Sequence, residues 1–126
     1  IGVNAQKQSS TTYSIYKSEI YMYEDGKWTL EHQNLDVDID MVFYNDAINI
    51  QAKTPTLFKL KTATKKSFKG DGYYGISFEA LECVEGKACT VDYVYETDNT
   101  NSFMLSVTYK KNGENVNLRY YSTLHN

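Results

Sequence analysis

The chain has 126 residues, a net charge of −3, one proline and twelve tyrosines. This length predicts one domain, and the abundance of tyrosine is typical of a β-rich globular protein rather than a disordered one. Arg119 is the sole arginine beside twelve lysines, which argues against nucleic-acid binding because bases and phosphates are usually gripped by arginine. No apolar run approaches the roughly 20 residues of a transmembrane helix.

The first residues, IGVNAQKQ, have the character of a secretory leader's end. An apolar stretch is followed by small residues around Asn4 and Ala5, the kind of site that signal peptidase cleaves. Residues 1–12 are therefore predicted to be a leader remnant, with an ordinary flexible N-terminus as the alternative, and residues 13–126 to form one β domain. Export would make the protein secreted or periplasmic, in an oxidising compartment.

Short stretches of alternating apolar and polar residues recur along the chain and predict β-strands. Residues 19–32 form a predicted hairpin around Asp25 and Gly26, a strong two-residue turn signal. The longest clean alternation runs through residues 35–43, and residues 48–52 return from it. Pro55 interrupts the pattern, which resumes over residues 58–62.

The second half of the chain continues in the same way. Residues 65–72, KKSFKGDG, are the most loop-like interior stretch, and residues 73–96 form the clearest hairpin. Two further strands, over residues 103–109 and 116–120, flank the turn at Asn112 and Gly113. About nine short strands, with turns near every ten residues and no helix, predict an all-β antiparallel meander. Because closure removes exposed edges, we expect a small lipocalin-like barrel, with a two-sheet β-sandwich as the alternative.

Both cysteines lie at the mouth of the hairpin of residues 73–96. If Cys83 and Cys89 face each other, their Cα atoms are about 4.5–5.5 Å apart, which suits a disulfide. The alternative is two unpaired small apolar side chains. The apolar phase of the first strand slips after Ala80, which predicts a bulge near Ala80 or Leu81. His32 and His125 show no ligand spacing that would make a zinc site with these cysteines.

Three aspartates, Asp36, Asp38 and Asp40, alternate along one predicted strand face. Such a row of carboxylates could attract calcium, but Met41 stands where an EF-hand loop needs glycine and Ala47 where it needs glutamate. A solvated, charged strand face is the favoured interpretation. No metal and no cofactor are therefore predicted.

Tyrosines are too numerous to lie all in the core, and such amphipathic rings are favoured at binding surfaces. A tyrosine-rich surface is predicted from Tyr21, Tyr23, Tyr73, Tyr74, Tyr93, Tyr95, Tyr120 and Tyr121. The alternative is that these rings simply reflect β propensity and partial burial.

Catalytic motifs are not apparent in the sequence. A small hydrolase would need two carboxylates, from Glu79, Glu82, Asp92 or Glu96, to converge in a cleft, and the sequence gives no reason for this. No enzymatic activity is predicted.

Three stretches carry a loose resemblance: FEALECVEGKACTV (78–91), DGKW (25–28) and the leader-like start. With them the chain resembles short exported bacterial β-rich proteins without an assigned activity. The resemblance implies export and a Cys-turn-Cys disulfide, and it supplies no catalytic or ligand residues.

Two functions follow as expectations. The first is a non-enzymatic binding module that presents a tyrosine-rich surface to a protein or glycan. The second is a carrier that holds a small apolar ligand inside a barrel. A carrier needs a continuous internal cavity of about 300 Å³ or more, whereas a surface binder needs a filled interior and exposed aromatic rings.

Overall fold

The computed structural model describes residues 9–124, with Thr100 described by its backbone only. These residues form nine β-strands and no helix. The strands are β1 (Thr11–Glu24), β2 (Lys27–Asn34), β3 (Ile39–Phe43), β4 (Ala47–Ile50), β5 (Thr56–Gly70), β6 (Tyr73–Glu82), β7 (Lys87–Glu96), β8 (Asn99–Lys111) and β9 (Glu114–Leu124). The predicted all-β class is confirmed.

Eight of these strands close into an antiparallel barrel. The sheet runs in the order β1-β3-β4-β5-β6-β7-β8-β9, and β9 pairs back onto β1. Closure leaves these strands with neighbours on both sides, so a small barrel, and not a sandwich, is the architecture. Strand β2 is an addition to this barrel.

The core fills the barrel with alternate side chains from every barrel strand. Its members with the least exposure include Ile15, Met41, Ile48, Ile50, Phe58, Val91, Leu105 and Val107. One end is closed by an aromatic cluster in which Tyr13, Phe43, Tyr93 and Phe103 have ring centroids 4.8–5.6 Å apart. The interior is therefore packed along most of its length.

Two predicted segments differ in the structure. The stretch 65–72, predicted to be a loop, is mostly the second half of β5, which continues to Gly70. The alternation over residues 35–43 yields a strand only from Ile39, and Leu35 is 69% exposed in the preceding loop.

The predicted bulge in β6 is also wrong. Strands β6 and β7 pair without a register shift, and the shift lies instead in β5, between Lys61 and Lys66. The Thr64 hydroxyl holds this irregular segment by donating to the Lys61 carbonyl and accepting from the Glu79 amide. A side-chain bond of this kind replaces the missing ladder bonds.

Residues 9–124 include no helix that is long and apolar enough to cross a membrane. The predicted leader remnant, residues 1–12, falls mainly outside the described residues, since the description starts at residue 9. Its last two residues, Thr11 and Thr12, begin β1.

Strand β1 is longer than its barrel neighbour requires. Its first half, Thr11 to Ile15, pairs with β3, whereas its second half, Ser18 to Glu24, pairs with β2 on that same side. Throughout the described chain β2 contacts no element except β1. The hairpin of residues 18–34 therefore adds β2 beside the barrel wall, where β1 stays paired with β9 as far as Met22 and one edge of β2 is unpaired.

Candidate functional site

The tip of this hairpin exposes apolar side chains. Asp25 and Gly26 have φ values of 51° and 79°, which is the conformation of a type I′ turn and matches the Asp-Gly signal. The Tyr23 and Trp28 rings meet edge to face with centroids 5.2 Å apart. Tyr23, Trp28 and Leu30 are each about 40% exposed. Exposed aromatic and leucine side chains beside an unpaired strand edge are a ready surface for another strand.

The backbone of β2 offers bonding groups along this edge. In a two-residue hairpin the closing pair, here Glu24 and Lys27, is hydrogen-bonded, and the pairs then alternate as far as Tyr21 and Leu30, beyond which Glu31 is an extra residue without a partner on β1. The amide and carbonyl groups of Trp28 and Leu30 therefore point away from β1, toward the free edge.

The base of the hairpin is fastened to the barrel by Glu19. This side chain is on the outer wall but only 6% exposed. Its carboxylate accepts hydrogen bonds from Tyr121 Oη (2.7 Å), Gln33 Nε2 (2.8 Å) and Tyr21 Oη (3.1 Å). The three donors come from β9, β2 and β1, so one buried carboxylate links β2 to the barrel wall in addition to the β1–β9 pairing.

The electrostatics of this cluster keep Glu19 ionised. Burial raises the pKa of Glu19, but the three hydrogen bonds and the positive charge of Lys17 outweigh it, so its pKa is lowered. Burial and the bond to Glu19 raise the pKa of Tyr121 to about 12. Lys17 Nζ also lies over the Tyr121 ring, 4.1 Å from its centroid.

Arg119 extends the cluster sideways. Its guanidinium lies 4.2 Å from the Tyr21 ring centroid, and its Nε donates to Asn117 Oδ1 at 2.8 Å. Asn117 is 5% exposed and donates in turn to the hydroxyls of Ser106 and Thr108 at 2.7 and 2.9 Å. Arg119 therefore contacts both Tyr21 in the hairpin and Asn117 in the neighbouring strand β9.

The predicted tyrosine surface is divided among three places. Tyr21, Tyr23 and Tyr121 lie together on the hairpin side. Tyr73 and Tyr74 lie near the opposite end, where Tyr74 stacks at 5.3 Å on Tyr95, whose ring packs against the core. The other two belong to the interior.

Those two interior tyrosines cannot contribute to an outer surface. Tyr93 is 9% exposed within the core. Tyr120 is half-buried inside the barrel wall, and its burial raises its pKa to about 12. Sequence reasoning did not include Glu19, Gln33, Trp28 and Leu30 in the site, although the Asp-Gly turn and the period of two predicted their hairpin.

Tyr120 lines a cavity of about 200 Å³ at the barrel end opposite the aromatic cluster. Its apolar lining includes Phe58, Val107 and Leu118, and its exposed rim includes Thr54 and Val84. Among the described residues the Tyr120 hydroxyl has no hydrogen-bond partner, and it is not sealed from solvent. The cavity therefore combines an apolar wall with a hydroxyl that has no partner, and the side chains of Glu82, Glu85 and Lys87 also line it.

The cysteines do not form the predicted bridge. Both are free thiols: Cys83 is exposed and Cys89 is buried. The reason is the register, in which Glu82 faces Lys87 and Ala80 faces Cys89, so that Cys83 falls in the turn. Burial raises the pKa of the Cys89 thiol to about 11.

The aspartate row is broken by the loop before β3. Asp36 and Asp38 lie in that loop and Asp40 lies in β3. Within residues 9–124 no three acidic, histidine or cysteine side chains are grouped to hold a metal ion. Of the carboxylates considered for a hydrolase, Glu82 and Glu96 lie at opposite ends of the β6–β7 pair.

No family model, curated protein or solved structure matches this chain.

Proposed function

We propose that the protein is a non-enzymatic interaction module whose binding element is the hairpin of residues 18–34. The observation that supports this most is that β2 is bonded on one edge only and exposes Trp28 and Leu30 there. An extended segment of a partner protein would add to this edge by backbone hydrogen bonds, while the two apolar side chains select its sequence. Release into an oxidising compartment, as predicted from the leader-like start, fits this role.

The packed interior also favours a surface function. The end cavity of about 200 Å³ is smaller than the roughly 300–1,000 Å³ of most ligand pockets. Two larger hollows, of about 530 and 360 Å³, are lined mainly by polar and charged side chains such as Glu79 and Thr90, which are exposed. Glu19 and its three donors hold the hairpin at a fixed angle on the barrel, and a preorganised edge loses less conformational entropy on binding.

To test this proposal, peptides that bind the wild-type protein are selected from a displayed library of extended sequences. Their affinity is then compared between wild type and the variant Leu30→Pro. Proline removes the amide that points to the free edge and leaves the pairing to β1 intact. We expect peptide affinity to fall by about tenfold or more, because one backbone bond and a contact are lost. Bound peptide should also slow hydrogen exchange at the amides of Trp28 and Leu30.

The matched control is Leu35→Pro, a substitution at a leucine that is 69% exposed in the loop before β3, with far-UV circular dichroism as the check of folding. Peptides that keep their affinity for Leu30→Pro, or that protect other strands instead, would contradict the proposal.

A second candidate function is the binding of a small apolar ligand with one polar group in the end cavity. The unengaged hydroxyl of Tyr120 favours it, because a ligand donor or acceptor would find a partner inside an apolar wall. Titration with phenol and with toluene, followed by NMR shifts of Val107 and Leu118, tests it. Tyr120→Phe should weaken phenol and spare toluene, and equal effects on both, or no shifts, would reject this function.

A further inference from the structure

The sequence along the free edge of β2 is self-complementary, which favours a second copy of this chain as the partner. The residues Lys27, Trp28, Thr29, Leu30 and Glu31 read cation, apolar, neutral, apolar, anion. Two antiparallel copies centred on Thr29 would set Lys27 of one opposite Glu31 of the other, and Trp28 opposite Leu30. We propose that a second copy of this chain pairs with β2 in this register to form a symmetric dimer.

This inference rests on the proposed function, since it uses the same edge. In the register centred on Thr29, Trp28 and Leu30 of the two copies become hydrogen-bonded pairs. The four outward-pointing amide and carbonyl groups of each copy would then be satisfied. A two-fold axis through Thr29 makes the contact the same for both chains, as closed dimers require.

The side chains on both faces agree with this register. On the outer face Trp28 and Leu30 are 39% and 44% exposed, and each would cover the other across the dimer. On the inner face Glu31 lies against Glu24, which is the cross-strand partner of Lys27. Opposite charges placed directly across an antiparallel pair stabilise it, and like charges destabilise it.

The neighbouring carboxylates of Glu24 and Glu31 give a second reason to expect a positively charged residue from the partner chain. The hydrogen bond with Glu31 and the repulsion between the two carboxylates raise the pKa of Glu24. Lys27 of the second copy would stand opposite Glu31 and relieve that repulsion. A hairpin that holds Glu31 on its free strand beside the carboxylate of Glu24 is thus better suited to a basic residue than to another acid.

The contact involves about five residues from each chain, which is below the area of a permanent interface. A reversible dimer is expected, and sedimentation velocity from about 1 µM to 1 mM spans the range of such weak contacts. Lys27→Glu and Glu31→Lys should each raise the dissociation constant by about tenfold or more, because two attractive pairs become repulsive.

The decisive measurement mixes these two variants. In a dimer with one chain of each variant, the glutamate introduced at position 27 faces the lysine introduced at position 31 of the other chain. The native Glu31 of the first chain faces the native Lys27 of the second, so both pairs have opposite charges. The mixture, and the double variant Lys27→Glu/Glu31→Lys, should dimerise about as well as wild type. Lys53→Glu, an exposed charge reversal outside the hairpin, is the matched control and should leave the dimer unchanged.

Two results would overturn the inference. A monomeric wild type over the whole range rejects the second copy as partner, and a mixture that stays monomeric while wild type dimerises rejects this register. If wild type is monomeric but selected peptides still bind in a way that depends on Leu30, the strand-pairing function stands without self-association. If peptide binding is absent as well, the proposed function fails too.

Discussion

Glu19 shows how one buried residue can link an added strand to a barrel wall. A nearly buried carboxylate costs free energy unless several donors compensate for its lost hydration. Here Tyr121, Gln33 and Tyr21 do so, and they come from three strands. The same arrangement that stabilises the charge therefore fixes the hairpin to the wall.

This arrangement predicts an acid-dependent loss of stability. The pKa of Glu19 in the folded protein is lowered from 4.5, so its contribution is fully present above about that value and is lost as the pH falls through the folded pKa. Glu19→Gln should lower the free energy of unfolding by about 1–3 kcal/mol at neutral pH, and the difference from wild type should shrink in acid. Urea denaturation over a pH series measures both.

Glu96→Gln is the control, because Glu96 is exposed. It should behave like wild type at every pH. A Glu19→Gln variant as stable as wild type at neutral pH would show that the cluster does not hold the hairpin.

Gly75 is a second residue whose identity is imposed by its neighbours. A Cβ atom built there would overlap the Phe68 ring and the Tyr93 carbonyl oxygen, and the latter is backbone in the next strand. Gly75→Ala should therefore destabilise the fold by about 1–3 kcal/mol, as overpacking does. Thermal or urea unfolding measures the loss.

Gly70→Ala is the matched control. The three atoms nearest to its Cβ would all belong to the Tyr73 side chain, which is 44% exposed, and none of them is backbone. This variant should be markedly more stable than Gly75→Ala, and equal losses at both glycines would contradict the argument.

At the scale of elements, the barrel strands and the added strand β2 contribute differently to the stability of the fold. Leu105 in β8 is fully buried, whereas Leu30 in β2 is 44% exposed. Leu105→Ala should cost about 2–5 kcal/mol of unfolding free energy, and Leu30→Ala less than about 1 kcal/mol. Denaturant titration of the two variants at a concentration where wild type is monomeric compares them directly. A large loss at Leu30 would mean that β2 is a structural part of the barrel.

The turns were the most predictable elements. Asp25-Gly26 and Asn112-Gly113 both adopt positive φ, as the two-residue hairpin signal requires. The number of strands followed from the alternation between such turns. Local backbone chemistry was sufficient here, because a two-residue turn fixes the pairing of the strands beside it.

The second half of β5 was not predictable in the same way. Residues 62–65 interrupt the register, so the alternation before and after them has a different phase. Thr64 compensates for this through bonds to Lys61 and Glu79, a contact that joins segments 15 residues apart. A sequence pattern does not contain such a partner, and a run of lysines with two glycines therefore resembled a loop.

The exposed edge was hidden for a related reason. Trp28 and Leu30 alternate with Lys27 and Thr29, which is the pattern of a strand buried on one face. Trp28 and Leu30 pair with Tyr23 and Tyr21 on the outer face of β1, and the alternation alone does not tell which face of the strand the barrel covers. The same pattern is therefore compatible with a core strand and with a binding edge.

At the scale of the whole molecule, closure encloses phenol side chains in a shared apolar interior. Burial raises the pKa of Tyr120 to about 12, and it raises the pKa values of Tyr93 and Tyr95 well above the usual value for tyrosine. These groups bind protons more tightly in the folded state, so their contribution is present below about pH 10 and is lost as the pH rises toward the folded pKa. The barrel should therefore unfold cooperatively in alkali.

An alkaline titration that follows phenolate absorbance together with far-UV circular dichroism tests this expectation. Phenolate absorbance that rises before this transition should leave the far-UV signal of the sheet unchanged. The enclosed rings should ionise in one later step that coincides with loss of the sheet, and Tyr120→Phe should reduce the amplitude of that step by one tyrosine. A single gradual titration of all tyrosines with the sheet preserved would mean that solvent reaches the interior, and the packed barrel on which a surface function depends would have to be abandoned.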